Sequence, residues 1–158
     1  MHKQAEERRA MPKVDLDTVP ATGTTGYPPP FNREMAGRWQ QRIAEQAGLS
    51  HLGANFVTLQ PGAWSSQRHW HHGEDELLVM LSGEAVLVED AGETVLHPGD
   101  ICLWKAGEPN GHCIQNHSQS DCRFLVVSAG NDEAGGVYSD IDMLFGEAGY
   151  TRKDGTPY

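Results

Sequence analysis

From Leu52 onward, apolar and polar residues alternate in short runs, each closed by Gly, Pro, Asn or Asp. The runs at residues 52–59, 66–71, 76–81, 84–88, 93–97, 101–104, 112–116 and 123–128 predict eight strands. Spacing of this kind predicts an all-β sandwich or barrel whose antiparallel edges are largely closed off. Asp90-Ala91-Gly92 and Leu81-Ser82-Gly83 read as hairpin turns. Upstream the texture differs. Met35, Trp39, Ile43 and Ala47 recur every four residues, which predicts an amphipathic helix over residues 34–47. Residues 20–30 carry Pro20, Gly23, Gly26 and the run Pro28-Pro29-Pro30, a composition for extended, polyproline-like chain lying on the domain surface or across a neighbouring copy. Residues 1–13 are charged and poor in large apolar groups, and predict a mobile arm.

At 158 residues the chain is most economically one domain, long enough to bury a full core without disulfides or a structural metal. Twelve basic against twenty-two acidic residues give a net charge of −10, which disfavours phosphate backbones and anionic membrane surfaces as partners. Cys102, Cys113 and Cys122 are odd in number and lack Cys-x-x-Cys spacing, so they read as small buried hydrophobes and not as a secreted disulfide framework. No apolar run reaches transmembrane length, and residues 1–9 are too charged for a signal peptide. The expectation is a cytoplasmic protein that binds neither nucleic acid nor membrane.

Candidate chemistry concentrates between Gly62 and Gly83. His69 and His71 are two residues apart, so on a strand both side chains leave the same face, and Glu76 follows after a polar turn around Gly73 that reads as the tip of one hairpin. Neutral imidazoles with a carboxylate suit one divalent ion, whether zinc, iron, manganese, nickel or copper. A further ligand is expected from residues 99–116, where His112 is the candidate. His72 alternates to the opposite face.

These two stretches resemble the sequence motifs of the cupin superfamily. The first motif is a glycine, then His-x-His, four residues, Glu, six residues and Gly. His69, His71, Glu76 and Gly83 fit it, although six residues instead of five separate Gly62 from His69. The second is Pro-x-Gly, two residues, His, three residues and Asn. Lys105 stands in place of the proline, Asn110 where the histidine belongs, and His112 two positions on, with Asn116 four beyond it. A shift of two keeps the same strand face, so Asn110 and His112 both remain open as the residue nearest the ion, and imidazole is the better ligand.

The resemblance covers residues 52–128 and is strongest to small single-domain bacterial cupins. It implies an all-β double-stranded β-helix, the jelly-roll cupin barrel, with an extended N-terminal arm: residues 1–30 as arm, 31–145 as barrel and 146–158 as tail. It implies a strand where the four-residue period suggests the helix of residues 34–47. It also implies a homodimer and one ion held by His69, His71, Glu76 and His112, with Asn110 turned towards a bound small molecule. Cupin activities span oxygenation, isomerisation, decarboxylation, lyase chemistry and plain ligand binding. The resemblance therefore leaves a metal-dependent enzyme on a small polar substrate beside a non-catalytic metal or ligand sensor.

Other residues carry competing readings. Trp64, Trp70 and Trp104 are core or the walls of a pocket. Glu74 and Asp75 are solvated turn acids or groups that orient a ligand histidine. Arg68 and Arg123 are surface charges or clamps for an anionic substrate.

Overall fold

The computed structural model describes residues 13–158; the expected arm of residues 1–13 lies almost wholly outside them. The chain enters through β1 (Ala21–Thr22), β2 (Arg38–Arg42), one helical turn α1 (Ile43–Gln46) and β3 (Gly53–Leu59). It continues through β4 (His69–His71), β5 (Glu74–Ser82), β6 (Ala85–Glu89), β7 (Gly92–Leu96) and β8 (Ile101–Trp104). The last strands are β9 (Cys113–Gln115), β10 (Cys122–Gly130), β11 (Gly136–Tyr138), β12 (Leu144–Gly146) and β13 (Gly149–Thr151). All eight expected strands are present in this all-β fold.

Three sheets form, and hydrogen bonding does not close them into one continuous barrel. Six strands order as β1-β2-β3-β10-β5-β8, three as β7-β6-β9, and four as β13-β12-β11-β4. The main core fills the space between the first two sheets. Val57, Leu59, Leu78, Met80 and Phe124 point in from β3, β5 and β10, and meet Ala85, Leu87, Leu96 and Ile114 from β6, β7 and β9. Each follows the two-residue period of its strand. Phe124 is fully buried, and truncating such a ring to alanine costs about 3–5 kcal/mol.

Two expected hairpins are corrected. The Leu81-Ser82-Gly83 turn joins β5 of the six-stranded sheet to β6 of the three-stranded one, so it is a corner between sheets. Gly83 takes φ +75°, and a Cβ there would lie 2.5 Å from the Asp121 carbonyl oxygen. Only glycine turns this corner. Likewise β4 and β5 do not pair. Both edges of β5 are taken, by β10 and β8, and β4 pairs with β11. Gly73 carries the chain between sheets where a Cβ would meet the Asn131 carbonyl oxygen at 2.5 Å. Asp90-Ala91 does close a hairpin, with Glu89 opposite Gly92.

The helix expected over residues 34–47 shrinks to α1. Gly37 sits at φ +86°, incompatible with a continuous helix, and residues 38–42 pair with β3. Cross-strand pairing overrides a local four-residue period. The strand implied by the resemblance is β2.

Segments assigned to the arm and the tail pack onto the domain. Tyr27 stacks on Tyr150, ring centroids 5.3 Å apart, and meets Tyr138 edge-on at 5.6 Å. Tyr27, Met35, Tyr138 and Met143 form a second buried cluster. The Tyr158 hydroxyl donates to the Asp142 carbonyl oxygen at 2.6 Å. The segment at residues 20–31 therefore covers its own chain, because its aromatic groups find partners on β11 and β13 of the four-stranded sheet.

Candidate metal centre

The site lies where the four-stranded and six-stranded sheets face each other. His69 and His71 alternate inward from β4, while Trp70 turns to the other face and meets His72, ring centroids 4.7 Å apart. Glu76 shares the inward parity of Leu78 and Met80 on β5, one step beyond the apolar core. His112 precedes β9 and pairs with His69 through the backbone, each N–H donating to the other's carbonyl oxygen at 3.2 and 2.9 Å. Thus the four side chains proposed from sequence converge from three places in the fold.

Their hydrogen bonds fix which nitrogens face inward. A carbonyl can only accept, so the 2.9 Å contact of His69 Nδ1 with the Gln67 oxygen is a donated N–H, leaving Nε2 as a lone pair. His71 Nδ1 lies 3.2 Å from a Glu74 oxygen and is oriented in the same way. The two Nε2 atoms stand 3.2 Å apart, with Glu76 Oε2 at 3.4 Å from His71 Nε2. Two imidazole lone pairs cannot face each other at that separation without a proton or a cation between them. His69, His71 and Glu76 therefore form a donor set that fits a divalent ion. His112 is held differently. Its Nε2 lies 2.9 Å from Glu76 Oε2, and its buried Nδ1 has no hydrogen-bond partner.

The electrostatics agree with this division. Burial pushes the His69 imidazole down to about 3, with His112 adding to the effect, so it is neutral and free to donate its lone pair. Burial also acts against a charge on His71, but hydrogen bonds to Glu74 and Glu76 outweigh it and raise the group to about 9. Desolvation opposes the Glu76 charge too, yet hydrogen bonds from His112 and His71 hold the carboxyl well below the usual carboxylate range. In the metal-free chain His71 accordingly carries the bridging proton.

The cluster opens on a cavity of about 270 Å³, at the small end for an organic ligand. Trp104 walls it by lying over His112, and Phe145 sets its edge against His71 at 5.3 Å. Trp64 packs in the second aromatic cluster. Of the two acids beside Glu76, Glu74 orients His71, and Asp75 accepts from the Ala106 N–H at 2.8 Å.

Asn110 does not line this cavity. Its Nδ2 donates to Glu89 at 3.0 Å and its Oδ1 accepts from the Asp90 N–H at 3.2 Å. The strand β9 begins only at Cys113, so the two-residue parity that set Asn110 beside His112 has no strand to act through. Arg68 does not serve the cavity either, being held by Asp140 at 2.7 and 2.9 Å and by Asp90. Arg123 is exposed. The arginine that does line the cavity is Arg38 on β2, within the stretch expected to be helical.

No helix among the described residues is long and apolar enough to cross a membrane. The family model for a cupin domain matches residues 55–128. A cupin-superfamily structure described as a sugar phosphate isomerase, from Silicibacter pomeroyi, is 41% identical with a TM-score of 0.88, over 93% of this chain and 96% of that one. The polyketide cyclase RemF from Streptomyces resistomycificus shares the fold at 24% identity and a TM-score of 0.61, over 75% and 79% of the two chains. The oxalate-binding protein of Thermotoga maritima is 36% identical over 71 residues, which make up 45% of this chain and 56% of that protein. The matched stretch thus spans little more than half of that relative. With a cupin-domain match through its central strands and 41% identity to a cupin structure over nearly its whole length, this chain belongs to the cupin superfamily.

Proposed function

We propose that the chain is a metal-dependent cupin enzyme that isomerises a small sugar phosphate. The observation that carries this reading is the His69–His71–Glu76 group opening on a small cavity, in a chain that follows the fold of the S. pomeroyi sugar phosphate isomerase almost end to end. His69, His71 and Glu76 would hold one divalent ion, and His112 would complete the set. When bound, the ion supplies Lewis-acid polarisation of a substrate carbonyl or hydroxyl oxygen.

The chain's own residues do the rest. The Gln67 carbonyl and Glu74 hold the two imidazoles with Nε2 inward. Trp104 packs on His112 and Phe145 on His71, which gives both imidazoles an apolar neighbour. The neutral His69 and anionic Glu76 keep its inner surface rich in acceptors. The donor set suits zinc, iron, manganese or nickel alike, and elemental analysis of protein purified without chelators or an affinity tag identifies which is bound.

The test of the reaction is incubation of metal-loaded and metal-stripped protein with aldose and ketose phosphates in deuterated water, followed by NMR. Metal-dependent interconversion is expected, and deuterium beside the carbonyl distinguishes proton exchange with solvent from direct hydrogen transfer. Absence of conversion across the panel rejects the isomerase. A second reading, a non-catalytic binder of small dicarboxylates, draws on the 36% identity to the oxalate-binding protein. It requires oxalate to bind the metal-loaded chain without turnover.

The assembly belongs to the same proposal. Ile101 and Leu103 stand exposed on β8, the edge strand of the six-stranded sheet, and support a homodimer formed through sheet edges. The three free cysteines support a reducing, cytoplasmic setting.

A further inference from the structure

The inner face of β2 presents Arg38 and Gln40 to the cavity that holds the histidines and Glu76. Arg38 is the one arginine or lysine lining that cavity among the described residues. A guanidinium has five N–H donors. Nη1 donates to the Ser65 carbonyl oxygen at 2.7 Å, Nη2 makes a long contact with the Thr24 carbonyl oxygen at 3.4 Å, and Nε is buried without a partner.

Its charge is also unanswered. No carboxylate pairs with it among the described residues. Burial lowers its pKa accordingly. Arg68 shows the contrast, with its guanidinium between Asp140 and Asp90. Holding two backbone carbonyls needs donors but no charge, and a half-buried charge without a counter-charge loses part of its hydration without compensation. The planar fork of arginine matches carboxylate and phosphate oxygens.

We infer that Arg38 is the anion anchor of the cavity, its remaining Nη hydrogens taking the phosphate group of the substrate while the His69–His71–Glu76 cluster addresses the sugar's oxygens. Gln40 and Asn55 line the same cavity and offer amide donors to further phosphate oxygens. Placing a negative group here offsets the unpaired charge and leaves the neutral, hydroxyl-bearing part of the ligand for the metal end. The proposal takes from the isomerase reading only the identity of the anion.

The experiment is calorimetric binding to the full, metal-loaded chain, with inorganic phosphate, ribose 5-phosphate, ribose and oxalate as probes. Wild type is expected to bind ribose 5-phosphate more tightly than ribose. Arg38→Gln is expected to lower affinity for phosphate and ribose 5-phosphate by about ten- to a hundredfold, with ribose binding and metal content unchanged. Arg38→Lys keeps the charge without the fork and is expected to fall between them, and it serves as the test if Arg38→Gln does not fold. Equal loss for ribose and ribose 5-phosphate would mark Arg38 as a structural tether and overturn the proposal, as would full phosphate affinity in both variants. Arg38-dependent binding of oxalate without phosphate binding overturns the phosphate assignment. Arg38-dependent phosphate binding without isomerisation upholds the anchor and rejects the isomerase, so the two claims fail separately.

Discussion

The Trp104 indole lies flat on the His112 imidazole, ring centroids 3.9 Å apart and planes 12° from parallel. The indole is itself fixed, its Nε1–H donating to Glu89 at 2.8 Å. Glu89 also receives the Asn110 amide, so the residue at the usual histidine position of the second cupin motif shares an acceptor with Trp104. Trp104→Leu is expected to loosen His112 and weaken metal binding about tenfold, within the range for groups that support metal ligands. Competition with a metal-sensitive dye measures it, and unchanged affinity would show that the stack is idle.

Glu74 makes the corresponding contact to His71, at 3.2 Å. Glu74→Gln should cost about ten- to a hundredfold in metal affinity while the fold survives. His71→Ala and Glu76→Ala should lose most of the metal outright, and His72→Ala should keep it, because His72 faces Trp70 and not the cluster. Elemental analysis of the four variants decides between them. Equal loss in all of them would remove the case built on strand parity.

Alkaline pH should destabilise the chain in a defined window. Burial raises the Cys122 thiol from 9.0 to about 11, and burial raises Tyr27 from 10.0 to about 12. Each group binds its proton more tightly folded than unfolded, so its contribution is complete below the unfolded value and is lost as pH climbs through the folded one. Denaturation midpoints of the metal-free chain should fall first as His71, raised from 6.5 to about 9, loses its proton, and fall again between about pH 9 and 12. Cys122→Ala should reduce the first part of that later decline without abolishing it, because burial raises the Cys113 thiol to about 11 as well. A flat profile to pH 12 would contradict the buried state of both groups.

The N-terminal segment should behave as core. Tyr27 is 8% exposed and packed between Tyr138 and Tyr150, so Tyr27→Ala should destabilise the chain by about 3–5 kcal/mol, as for other large buried aromatics. Chemical denaturation measures the change. A loss below about 1 kcal/mol would show that residues 20–31 only lie along the domain surface.

For the proposed homodimer, light scattering should give twice the 17.3 kDa chain mass. Leu103, 72% exposed on the β8 edge, is the position to charge. Leu103→Lys should shift the mass towards the monomer without altering metal content. A wild-type monomer at micromolar concentration would end this proposal.

The eight central strands and the shared face of His69 and His71 were legible in residue order, because a two-residue period sets which side chains share a strand face, while Glu76 and His112 were drawn in by the motif resemblance. Only the tertiary structure decided which strands pair. It placed β4 and β5 in different sheets, so His69 and His71 meet Glu76 across a gap and not along a hairpin. Arg38 was hidden for a related reason. On β2 the polar residues Arg38 and Gln40 face inward while Trp39 stands 44% exposed, since the inner face there lines a cavity and not a core. Periodicity reports that two faces differ; which one is enclosed depends on the strand beside it, and that neighbour is chosen by contacts distant in sequence.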